Sequence, residues 1–173
     1  MPQSKWYGKT LIETKARTAC VTGHRNIDAS DLPSLTRRLN ETIEMLILKG
    51  VVFWGCGGAR GFDLLAGAAI LTLREKYPAV RLIMVLPCRG QEYRWTEQDK
   101  QTYREILAAA NKVVYISETY YEGVMAKRNR WLVEQSSYCV AYLKRERTGT
   151  SQTVRFAMQQ GLTIINLAES LNR

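Results

Sequence analysis

Gly57-Gly58-Ala59-Arg60-Gly61-Phe62-Asp63 follows the apolar run Val51-Val52-Phe53-Trp54 and leads into a long amphipathic segment. An apolar run, a glycine loop and an amphipathic run in that order make a strand, a tight turn and a helix. The glycines let the backbone turn sharply and approach an anionic ligand. The helix behind them would offer unpaired N–H groups and the positive end of its dipole. The loop is therefore read as a phosphate cradle, the alternative being a turn whose glycines only let strand and helix pack closely. Gly55, Gly57, Gly58 and Gly61 approach the dinucleotide-binding spacing without meeting it. Arg60 stands where glycine or alanine is needed, and no Lys-Ser/Thr follows as in a P-loop.

Outward from this loop the same alternation continues in both directions. Ala19 to Gly23, Val51 to Gly55, Arg81 to Leu86, Lys112 to Ile116, Tyr138 to Leu143 and Thr163 to Asn166 read as strands. Helices are expected over Ser30 to Lys49, Gly61 to Tyr77, Trp95 to Ala110, Tyr120 to Ser136 and Gly149 to Gln160. In the first of these Leu32, Leu35, Leu39, Ile43 and Leu46 recur every three or four residues, and Gly50 follows as a stop. Leu82-Ile83-Met84-Val85-Leu86 is apolar without alternation, as in a strand covered on both faces. The fold class is α/β: a Rossmann-like, doubly wound, mostly parallel sheet of about six strands between helical layers. Residues 1–17 are read as an N-terminal extension, either a tail or a strap over the core, and 18–173 as a single domain.

In doubly wound sheets ligands sit beyond the carboxyl ends of the strands, where strand order reverses. That rule nominates Thr22-Gly23-His24-Arg25, the Gly57 to Asp63 loop, Pro87-Cys88-Arg89-Gly90, Ser117-Glu118 and Thr148-Gly149-Thr150. Gly149, Thr150, Ser151 and Thr153 would open the last long helix with free N–H groups and hydroxyls, although an N-cap by Thr148 or Thr150 explains part of that pattern. Cys20, Cys56, Cys88 and Cys139 show no zinc spacing and are expected to be reduced and buried, the alternative for Cys88 being partial exposure in a cleft. No metal is expected.

Charged residues make up 24% and hydrophobic ones 46% of the 173, ordinary for a globular chain and unlike a disordered one. A net charge of +9 suits a polyanionic partner without locating its surface. No apolar run approaches the roughly 18 residues of a membrane span, and Met1 to Arg17 lacks a signal-peptide core. A cytoplasmic location and no membrane partner are expected.

Val21-Thr22-Gly23-His24-Arg25, Gly58-Ala59-Arg60-Gly61-Phe62-Asp63 and Arg128-Asn129-Arg130, with Gly149-Thr150-Ser151-Gln152-Thr153, together resemble the SLOG superfamily. That superfamily joins the DprA/Smf proteins, the Lonely-guy enzymes and the YpsA/YspA-like proteins around a Rossmann-like domain. The Thr-Gly-His-Arg opening is most similar to the YpsA/YspA branch. By this resemblance Gly58, Arg60, Gly61 and Asp63 line a nucleotide pocket, next to Gly57 of the same phosphate-binding loop, with Asp63 either capping its helix or accepting a ribose hydroxyl. Arg128, Asn129, Gly149, Thr150 and Thr153 flank the same cleft. The Lonely-guy motif Pro-Gly-Gly-x-Gly-Thr-x-x-Glu is not met, since Thr153 stands at its glutamate and no Pro-Gly-Gly precedes.

His24 is the only histidine, and its neighbours Thr22, Gly23 and Arg25 favour binding, or simple loop bonding, over catalysis. Gln91, Tyr93 and Trp95 lie in a segment rich in aromatics and arginine that could cover the pocket and stack on a nucleobase. Packing of Trp95 at its helix start is the other reading. The expectation is a cytosolic sensor or binder of a nucleotide-derived small molecule, with a nucleotide-like phosphate ligand as its cofactor or effector. The alternatives are a nucleoside-monophosphate phosphoribohydrolase and a DprA-like binder of single-stranded DNA, the latter weak and salt-dependent. A homo-oligomer is compatible with the resemblance.

Overall fold

The computed structural model describes residues 11–170. Six strands, β1 (Thr18–Gly23), β2 (Phe53–Cys56), β3 (Arg81–Leu86), β4 (Lys112–Tyr115), β5 (Tyr138–Tyr142) and β6 (Thr163–Asn166), form one sheet. Their order is β4-β3-β2-β1-β5-β6 and every pairing is parallel. Successive strands from β1 to β4 are laid down on one side, and the chain then returns to place β5 against β1. The switch point therefore lies between β1 and β5.

The side chains of β3 show how both faces are covered. Leu82, Met84 and Leu86 belong to one core with Trp54, while Ile83 and Val85 belong to the other with Phe53, Cys139 and Ala141. The period of two along a strand sends neighbours to opposite faces, so a strand between two helical layers must be apolar throughout. Against the first face pack α2 (Leu32–Leu48), α3 (Phe62–Lys76) and α4 (Glu97–Ala109). Against the second pack α5 (Val124–Glu134) and α6 (Gly149–Gln159). Leu35, Leu39, Ile43 and Leu46 of α2 are buried, each contributing about 1.5–3 kcal/mol relative to exposure.

Helix starts differ from expectation where local capping intervenes. α4 begins after Thr96, whose hydroxyl accepts from the Asp99 amide at 3.2 Å, so Trp95 stands outside the helix. α5 begins after Gly123, whose left-handed φ of 94° ends the preceding turn. A short helix, α1 (Leu11–Ala16), precedes β1, and the Lys15 carbonyl accepts a 2.7 Å bond from the Ser137 hydroxyl. The rest of the expected extension, residues 1–10, lies outside the described residues, as do 171–173. All four cysteines are free and buried. Cys88 is only 3% exposed, so the small area it shows lies in the wall of a cavity beside the turn after β3. No described helix is long and apolar enough to cross a membrane.

Candidate functional site

A cleft of about 310 Å³ opens beyond the carboxyl ends of β1 and β5. β1 and the residues after it supply Thr22, Gly23, His24, Arg25 and Asn26. The β2–α3 connection supplies Ala59 and Asp63. Helix α5 supplies Met125, Arg128 and Asn129, and the β5–α6 connection supplies Arg145, Thr148, Gly149 and Thr150. Three connections and one helix meet here because β5 returns beside β1.

His24 ties the two switch-point loops together. Its Nε2 accepts from the amides of Lys144 at 2.9 Å and Arg145 at 3.1 Å. Its carbonyl accepts from the Phe62 amide at 3.2 Å, and its ring meets Tyr142 edge-on. An Nε2 that accepts twice carries no proton, so the imidazole is neutral with its hydrogen on Nδ1. Burial, then the positive Arg145, push the imidazole pKa below its usual 6.5. Lys144 is held by Asp28 at 2.8 Å and Asp31 at 2.6 Å, and of the loop's cations Arg145 is the one that lines the cleft. The loop contains Arg147, the one non-glycine residue of positive φ among the described residues.

The start of α6 is closed by a capping box. Thr148 Oγ1 accepts from the Ser151 amide at 3.1 Å, and Ser151 Oγ accepts from the Thr148 amide at 2.8 Å. The Gly149 and Thr150 amides are the first two of the helix and have no acceptor within it. They therefore remain as donors beside Arg145 at the positive end of the helix dipole. Both residues line the cleft.

Protein atoms approach the glycine loop closely. Gly57 offers its carbonyl, at 2.6 Å, to Nη1 of the buried Arg128, and a Cβ at Gly57 would lie 2.7 Å from the guanidinium carbon. Gly61 has φ of 80°, and a Cβ there would overlap the Arg25 carbonyl oxygen. The Ala59 amide is taken by Asp63 Oδ2 at 3.1 Å. Glycine is needed here because protein atoms approach closely, which is the packing alternative raised from the sequence. Burial lifts the Asp63 carboxyl to about 6, although Arg128, the Ala59 amide and Arg25 draw it down. Burial in turn lowers the Arg128 pKa, while the Asp63 charge supports its protonation. Arg128 Nε is held by Asn129 Oδ1 at 2.7 Å.

The structure thus brings Thr22, Gly23, His24, Arg25, Asp63, Arg128, Asn129, Gly149 and Thr150 to one cleft. Gly57, Gly58 and Gly61 stand behind its lining. Arg60 and Trp95 line a neighbouring cavity of about 780 Å³, with Trp95 edge-on to Tyr103 at 5.2 Å. The Thr153 hydroxyl is spent on the Gly149 carbonyl at 2.9 Å. Glu118 pairs with Arg89 at 2.7 Å and does not line the cleft. Sequence reasoning missed Asn26, Met125 and Arg145. Arg145 lay hidden in a basic run, although its place just before a Thr-Gly-Thr helix start was a usable signal.

The family model for the YspA SLOG family matches residues 19–163. A UPF0398 protein of Bacillus pumilus is 30% identical over 125 residues, covering 71% of this chain and 67% of that protein. DNA processing protein A from Streptococcus pneumoniae has a similar fold, with a TM-score of 0.61 at 18% identity. The match covers 87% of this chain but only 50% of that one. DNA processing protein A from Helicobacter pylori, studied for its single-stranded DNA binding mode, gives a TM-score of 0.60 at 17% identity, covering 94% of this chain and 81% of that one.

Proposed function

The chain belongs to the YspA SLOG family, and from that premise we propose that it binds a nucleotide or nucleotide-derived small molecule in the β1–β5 cleft. The observation that carries this reading is the start of α6, where two uncommitted amides stand beside Arg145 in a concave, largely polar cleft. A phosphate rests on the Gly149 and Thr150 amides, with Arg145 and Arg25 beside it. Thr22 and Asn129 offer hydroxyl and amide groups to a sugar. His24 holds the Arg145 loop in place, and Arg128 holds the glycine loop, so both position the site.

Asp63 is the one carboxylate lining the cleft. Glycosidic cleavage ordinarily draws on a pair of carboxylates, so a single one supports binding as the biochemical act. Single-stranded DNA binds weakly, through the basic surface, and is released as salt rises.

Calorimetric titration at physiological salt with nucleoside mono-, di- and triphosphates, inorganic phosphate and an oligothymidylate tests this, with chromatography for released base. Saturable nucleotide binding that phosphate competes away, without free base, is the expected result. Free base would replace the binder with a hydrolase. Binding of the oligonucleotide alone would replace it with a DNA-binding protein.

A further inference from the structure

The α6 cleft adjoins the larger cavity, since Arg25 and Met125 line both. The two differ in chemistry. The cleft of about 310 Å³ presents amides and guanidinium groups at a helix start, and its size suits a single head group. The cavity of about 780 Å³ combines Arg25, Arg60 and Arg94 with Tyr93, Trp95 and Tyr120, and no carboxylate lines it. Those three arginines take part in no salt bridge among the described residues. Tyr93 is 80% and Tyr120 68% exposed, so neither aromatic is explained by the core. Exposed aromatic rings beside guanidinium groups outside any salt bridge, in a concavity, suit a flat, electron-rich ring carried by an anion. Arg89 is excluded from that role, being held by Glu118 and laid over the Tyr115 ring at 4.2 Å.

We propose that the ligand has two heads: a phosphate-bridged dinucleotide, with one nucleotide in the α6 cleft and its second nucleobase against Tyr93 and Trp95. This rests on the nucleotide reading of the cleft. The bridging phosphates cross at Arg25, the cation common to both cavities, whose backbone is fixed by the close approach of Gly61. Arg60 and Arg94 balance the remaining charge.

The full chain, Tyr93→Ala and Arg94→Ala are titrated by calorimetry with adenosine monophosphate, diadenosine diphosphate and a short oligothymidylate. Both side chains are exposed, and an unchanged melting temperature verifies each variant's fold. Stacking of one base predicts that the dinucleotide binds at least about tenfold more tightly than the monophosphate. Each variant should weaken the dinucleotide about five- to tenfold and leave the monophosphate unchanged. Equal affinity for the two ligands, or equal weakening of both by the variants, would overturn the second subsite while leaving the cleft reading intact. Failure of both nucleotides to bind removes the cleft reading itself, and tighter binding of the oligonucleotide than of the dinucleotide assigns the cavity to a polymer.

Discussion

Replacing Gly149 by aspartate separates anion binding from folding. Gly149 is the exposed first residue of α6, its φ is not positive, and a Cβ there meets nothing within 4 Å. An acidic side chain in the first turn of a helix contributes about 0.3–1 kcal/mol, and removing glycine's backbone freedom adds about 0.5–1 kcal/mol. The variant should therefore melt at or a few degrees above the wild type, at about 2–4 °C per kcal/mol for a chain of this size. The same carboxylate lies where the proposed phosphate sits. Two like charges about 5 Å apart at an effective dielectric of about 20 repel by about 3 kcal/mol. Screening at physiological salt leaves about 2 kcal/mol, a loss of about 30-fold in affinity. Calorimetry with adenosine monophosphate reads the affinity and a thermal melt reads the stability. Gly149→Ala, which adds bulk without charge, should stay within about threefold of wild type. Wild-type affinity in Gly149→Asp would refute a phosphate at the α6 start.

Gly61→Ala should lower stability by about 2–4 kcal/mol in urea unfolding, from a left-handed backbone cost of about 1–2 kcal/mol and the overlap with the Arg25 carbonyl. A loss under about 1 kcal/mol would show that the loop relaxes freely. The Asp63 carboxyl titrates at about 6 folded against 3.8 in its ordinary state, so the folded chain holds this proton more tightly. Its contribution is complete below about pH 4, and about 3 kcal/mol is lost as pH rises through 6. Asp63→Asn, which keeps an acceptor for the Ala59 amide, should gain on the wild type across that window, and parallel pH profiles would refute the burial argument. His24 runs oppositely: its folded pKa is lowered, so its stabilisation is present above 6.5 and is lost as pH falls through the folded value. Nitrogen NMR should show Nε2 unprotonated at neutral pH, and His24→Ala should cost about 1–3 kcal/mol by orphaning two amides. A protonated Nε2 would contradict the bracing role.

The α/β architecture was legible because its signals are local. The stripe Leu35, Leu39, Ile43 and Leu46 needs only the 3.6-residue period, and the unbroken Leu82 to Leu86 run needs only the period of two with both faces covered. Strand ends followed by Thr22-Gly23-His24-Arg25 and by Thr148-Gly149-Thr150 could be nominated from the chain, because parallel strands carry their loops to one edge of the sheet. What approaches each loop could not be. The glycines of Gly57 to Gly61 advertise close contact, but the contact is the guanidinium of Arg128, 71 positions away, and the carbonyl of Arg25. The two amides on His24 Nε2 come from residues 120 and 121 positions distant, and the raised Asp63 pKa exists only through burial. Periodicity and capping are interactions between neighbours in sequence, so the chain by itself determines its strands, helices and candidate strand-end loops. Which side chains satisfy those loops depends on the sheet order that returns β5 to β1, and only the tertiary structure decides that.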